Sequence, residues 1–102
     1  MSEELKITLP VKGRGVTVRR QGTYRGYRWK ATARVPSHPL YDLSNAIKVT
    51  VTISHPERGP QHLFACQRKV RRTGPWQERL WREAEGVIKE ELLQFVRMMG
   101  DA

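Results

Sequence analysis

Residues 47–53, "IKVTVTI", set Ile47, Val49, Val51 and Ile53 in strict alternation with Lys48, Thr50 and Thr52. Side chains of a strand point to opposite faces in turn, so this run carries one apolar and one polar face, and its β-branched residues suit the pleat. Upstream, "WKATARV" (29–35) repeats the pattern, with Trp29, Ala31, Ala33 and Val35 against Lys30, Thr32 and Arg34. Val16 and Val18 against Thr17 and Arg19 mark an earlier strand, with Gly22 or Gly26 supplying the turn that follows it. Downstream, "HLFACQRKV" (62–70) reads as a fourth strand. Phe64, Cys66 and Val70 are the preferred inward set there; the other register turns Leu63 and Ala65 inward. "SHPERGPQ" before it is expected to be a connection, because Pro56, Gly59 and Pro60 oppose a regular element.

The C-terminal stretch changes period. "TGPWQERLWREAEGVIKEELLQFVRMMG" (73–100) spaces Leu80, Trp81, Ala84, Val87, Ile88, Leu92, Phe95, Val96 and Met99 at intervals of three and four, the stripe of an amphipathic helix. Thr73 or Gly74 can cap it, Pro75 suits its first turn, and Gly100 can end it. Gly86 costs about 1 kcal/mol relative to alanine, which close approach to a sheet would justify. Glu85 and Lys89 have the spacing of a favourable i, i+4 pair.

Together these elements predict an α+β fold, a single domain over 1–102. Its mostly antiparallel sheet of about four strands packs on one long C-terminal amphipathic helix. Parity then sends Thr17, Arg19, Arg28, Lys30, Thr32, Arg34, Lys48, Thr50 and Thr52 away from the helix, leaving a cationic, hydroxyl-rich open face.

Charge gives that face its interest. The chain carries a net +9, distributed as −1 over residues 1–10, +8 over 11–35, zero over 36–62, +4 over 63–75 and −2 over 76–102. An excess of this size, confined to two segments, favours a polyanionic partner. Lysine and arginine pair with phosphates and threonine hydroxyls add neutral hydrogen bonds, so the expected partner is nucleic acid, DNA or RNA. The expected contacts on the sheet and its first turn are Arg19, Arg20, Tyr24, Arg25, Tyr27, Arg28, Lys30, Arg34 and Lys48, with the tyrosines exposed for base stacking or groove insertion. Arg19 and Arg28 are expected near one another across the hairpin, which is unfavourable unless an anion lies between them. Arg68, Lys69, Arg71 and Arg72, "RKVRR", stand just before a helix N-terminus, where acids are normally favoured, and with the free helix amides they make a second expected phosphate site.

Each site has a plainer reading. A basic sheet face is also a solvated face that resists aggregation. The cations before the helix could point into water or pair with Glu78. A basic surface also suits an acidic protein partner, the alternative function. The helix stripe is broad enough to serve a second subunit as well as the sheet, so a homodimer stands beside ordinary core packing.

Several chemistries find no support. His38, His55, His62 and Cys66 lack the spacing of a metal motif, and on a strand His62 and Cys66 lie about 13 Å apart. No metal or other cofactor is expected. Asp42 is isolated and the remaining candidate carboxylates lie on the helix, so no enzyme is expected either. A lone cysteine excludes an intramolecular disulfide and suits a reducing cytoplasm. No run reaches the roughly 18 apolar residues of a membrane span, and no signal peptide is evident, so no membrane partner is expected.

Two likenesses remain. "KATARVPSHP" (30–39) and "KVTVTISHP" (48–56) both end in Ser-His-Pro, for which chance or shared strand-end chemistry is a simpler cause than duplication. "GTYRGYRWKATARV" (22–35) resembles the basic, aromatic-containing hairpin of sheet-reading DNA-binding modules such as the arm-binding domains of tyrosine integrases. The strand-then-helix order is more distantly similar to the end of double-stranded-RNA-binding domains. The resemblance implies a sheet that contacts nucleic acid. "PSHPLYDLSNA" (36–46) departs from it, and no site residue is carried over.

Overall fold

A computed structural model describes residues 5–100; residues 1–4 and 101–102 of the expected domain lie outside that range. Its elements follow in the order β1 (Thr17–Tyr24), β2 (Tyr27–Arg34), β3 (Ala46–His55), β4 (Arg58–Lys69) and α1 (Trp76–Gly100). The strands form one antiparallel meander, β1-β2-β3-β4, with α1 on one face, so the expected α+β architecture is present. No helix among the described residues is long and apolar enough to cross a membrane.

The alternation read from β2 and β3 is the alternation of burial. Trp29, Ala31 and Ala33 pair across the ladder with Ile53, Val51 and Val49, and all six are buried under α1. The helix contributes Leu80, Trp81, Ala84, Val87, Ile88, Leu92 and Val96 to the same core. On β4 the preferred register holds: Phe64 and Cys66 pair with Val51 and Val49 and pack against the core, as does Val70 just beyond the strand.

Three details differ from expectation. "SHPERGPQ" is largely strand, because β3 runs to His55 and β4 starts at Arg58 across a two-residue turn. A register shift between Ile53 and His55, and a left-handed Gly59 (φ 64°), accommodate the prolines that seemed to forbid it. Met99 is 41% exposed, so the buried stripe ends near Val96. Gly86 is on the solvent side of α1, where an added Cβ would meet nothing within 4 Å, and close sheet approach does not explain it.

Residues 5–12 fill a gap that the helix leaves above β1. Leu5 and Leu9 are buried, and α1 grips the main chain of Leu9 at both ends: its N–H donates to the Glu85 carboxylate and its carbonyl accepts from Arg82 at 3.0 Å. The Trp81 indole N–H donates to the Lys12 carbonyl at 3.2 Å. Glu85 is therefore held by Leu9 and Arg82, in place of the expected pair with Lys89.

Candidate nucleic-acid interface

The sheet face opposite α1 is built in rungs that the register defines. Thr17, Arg34, Lys48 and Gln67 form one rung; Arg19, Thr32, Thr50 and Ala65 the next; Gln21, Lys30, Thr52 and Leu63 the third. Thr23, Arg28 and Ser54 continue the pattern toward the first turn, and Lys69, two residues beyond Gln67, extends it at the other end. With strands about 4.8 Å apart, four of them give a face about 14 Å wide between its outer backbones.

This face gathers Arg19, Arg28, Lys30, Arg34, Lys48 and Lys69 among threonine, serine and glutamine, with no acidic residue in any of its rungs. Among the described residues none of the six has a carboxylate within ion-pairing distance. The surface is hollowed rather than flat. One depression of ≈ 600 Å³ is lined by Arg19, Lys30, Thr32, Thr50 and Thr52, and a second of ≈ 490 Å³, toward the first turn, shares Lys30 and Thr52 with it and adds Arg28 and Ser54.

The like-charge contact expected between Arg19 and Arg28 falls elsewhere. Arg19 stands opposite Thr32 and Arg28 opposite Thr23, two rungs apart, whereas Arg34 and Lys48 are direct cross-strand neighbours. Like charges directly opposite destabilise a ladder, and an anion bound between them removes the repulsion.

The tyrosines correct a second expectation. The turn is Arg25–Gly26, both in the left-handed region (φ 49° and 85°), as the right-handed twist of a two-residue hairpin requires. This closes Tyr24 against Tyr27 on the helix side of the sheet, each only 5% exposed. Tyr27 meets His55 and Phe95 edge-on, at 5.0 Å and 5.8 Å between ring centroids. Neither ring is available to stack on a base from the open face. Tyr27 shares the parity of Trp29, so the signal was present in the alternation itself. Arg25 lies over the Tyr24 ring, 5.4 Å from its centroid.

Other expected contacts are diverted into the fold. Arg20 points to the opposite side from Arg19 and donates to the carbonyls of Thr8 and Arg19. Arg68, on the helix side of β4, faces Glu83 at 3.9 Å. Arg72 pairs with Asp42 at 2.9 Å, donates to the Asp42 carbonyl and lies over the Trp76 ring. Asp42 is thus held by cations, and among the described residues Glu78 is not the partner of this segment. Hydrogen bonding from Ser44, helped by the Arg72 guanidinium, holds the Asp42 carboxyl below its ordinary value. Arg79 donates to the Arg71 and Thr73 carbonyls, closing the loop ahead of α1. The segment before the helix is therefore braced mainly from within: Lys69 joins the open face, and Arg71 is exposed.

The histidines resolve into structural roles. His38 Nδ1 accepts the Leu40 N–H at 3.0 Å, and His55 Nδ1 accepts the Glu57 N–H at 3.1 Å. In both Ser-His-Pro copies the histidine Nδ1 thus accepts the N–H two residues on, His55 at the end of β3 and His38 beyond the end of β2. His62 pairs with Glu91 at 2.8 Å and stacks on Phe95. Among the described residues no three potential metal ligands come together. Burial pushes the Cys66 thiol above its ordinary value, the reverse of an activated nucleophile.

Comparison with protein-family models, with curated proteins and with solved structures finds no match to this chain.

Proposed function

We propose that this chain is a non-enzymatic nucleic-acid-binding domain, accessory or regulatory in role, that contacts phosphates through the open face of its sheet. The observation that carries the reading is the set of six cations without carboxylate partners among the described residues, held among hydroxyl and amide side chains on the face opposite α1. A solvated face gains nothing from placing Arg34 opposite Lys48. A phosphate-binding face does.

The same geometry narrows the mode of contact. With Tyr24, Tyr27, Trp29 and Phe64 all turned to the helix side, the open face offers charge and hydrogen bonds but no ring for base stacking. Contacts then go to phosphate and sugar, which set position and affinity more than sequence. A face about 14 Å across spans the roughly 12 Å major groove instead of entering it, so it rests on the backbones of a duplex. The free Cys66 thiol suits action in the reducing cytoplasm.

The test is titration of labelled duplex DNA, duplex RNA and single strands, read by fluorescence anisotropy across a salt series. If all six cations meet phosphates, log affinity falls with log salt at a slope of about −5 on duplex DNA. Failure to bind any of these at low salt overturns the reading. Recovery from cells of an acidic protein that stays attached after nuclease treatment also overturns it, in favour of a protein-binding module.

A further inference from the structure

The two edges of the sheet are finished differently. At the β1 edge, residues 5–12 flank the inner face, with Leu5 and Leu9 buried and the Thr8 carbonyl tied to Arg20. Arg19 and Arg20 stand in the middle of that strand, and charges there oppose pairing with another strand. The β4 edge carries Pro60, Arg68 and Lys69 only toward its ends, and its middle has neither protection. From Gln61 to Gln67, "QHLFACQ", it carries no lysine, arginine, aspartate or glutamate, and among the described residues its outward row of backbone donors and acceptors meets no further strand.

Packing is also unfinished there. The inward residues of β2 and most of those of β3 are buried, whereas His62, Phe64 and Cys66 on β4 are only half-buried, as are Leu93 and Phe95 on α1. On the opposite face Leu63 is 68% exposed. An uncharged stretch of edge strand with apolar residues on both faces is a template for strand addition.

We infer that β4 pairs antiparallel with β4 of a second copy of this chain through residues 61–67, joining two four-stranded sheets into one. Two chains of net +9 repel, and this run is the stretch of edge where they meet without like charges face to face. Antiparallel pairing about its middle carries Arg68 and Lys69 of each copy toward the other's 59–61 end, away from their own counterparts. Such a contact is self-complementary and closes as a twofold dimer. It covers Leu63 on one face and extends the apolar seam of Phe64, Cys66 and Leu93 on the other. The two cationic faces become continuous, so a long polyanion can engage both at once.

Sedimentation equilibrium of the full chain without nucleic acid, over a concentration series, tests the pairing. Leu63→Lys and Ala65→Lys add charge at open-face positions of β4 without touching the core, and Met98→Glu serves as the control on the exposed side of α1. Circular dichroism shows that each variant folds. The expected result is a dimer whose dissociation constant rises at least tenfold in both β4 variants and is unchanged in Met98→Glu, with amide exchange in 61–67 slowing as concentration rises. A monomer up to millimolar concentration overturns the inference. So does a dimer indifferent to the β4 changes, or one lost only in Met98→Glu, which places the contact on the helix.

Discussion

The two faces of one sheet are made by the same strands and obey opposite rules. On the helix side, Val49, Val51 and Ile53 are wholly buried, in one core with Leu80, Ile88 and Leu92. On the open side, Lys48, Thr50 and Thr52 of the same strand stand among cations that have no carboxylate partner among the described residues. Folding is satisfied by the first face alone. The second face is free to carry charge, and it carries it in an arrangement that costs stability.

The sharpest test of that division is to damage each face separately. Ile88→Ala should cost about 2–5 kcal/mol, read by denaturant melts, because a fully buried side chain leaves a cavity. Salt dependence of nucleic-acid binding should keep its slope wherever that variant remains folded. Conversely, Arg19→Glu, Lys30→Glu and Lys48→Glu combined should leave the melting temperature within a few degrees and lower duplex affinity at least 100-fold by anisotropy. If the triple variant binds as the parent does, the open face is not the site.

Gly86 sharpens the comparison from a surface belonging to neither face. An added Cβ meets nothing there, so Gly86→Ala should stabilise by about 1 kcal/mol with binding untouched. A smaller effect distinguishes function from folding most directly. Arg34→Glu turns a like-charge neighbour of Lys48 into an opposite one, so it should raise stability by about 0.2–1 kcal/mol while weakening binding.

The pH prediction is the smallest and concerns the bracing of the segment before α1. Because Asp42 is held below its ordinary value of 3.8, its support is fully present above that value and is lost as pH falls through the lower folded-state value. Thermal melts from pH 5 to pH 2 should show an acid loss that Asp42→Asn lacks.

Legibility in the sequence followed the local periods. Alternation at 29–35 and 47–53 and the three-and-four spacing at 80–99 specified the strands, the helix and most of the inward residues, Val16 and Met99 excepted, because each depends on a residue's neighbours along the chain. The same parity put Arg19, Arg28, Lys30, Arg34 and Lys48 on the open face. It turns Tyr27 inward too once the turn lies at Arg25–Gly26, a position that the glycines at 22 and 26 leave open in the sequence. The β3–β4 hairpin was obscured by two prolines and a glycine, whose effect a register shift absorbs.

By itself, then, the sequence determined the elements, the inner set and the sign of the outer face, since these rest on period and charge. Only the tertiary structure decided which cations are committed and which remain unpaired. Arg72 and Arg68 are withdrawn by Asp42 and Glu83, carboxylates 30 and 15 positions away along the chain, and Arg20 by the Thr8 carbonyl. The strand register also decided that Arg34 faces Lys48. Ion pairs and cross-strand neighbours depend on distance in space, and no local pattern encodes which distant residue will arrive.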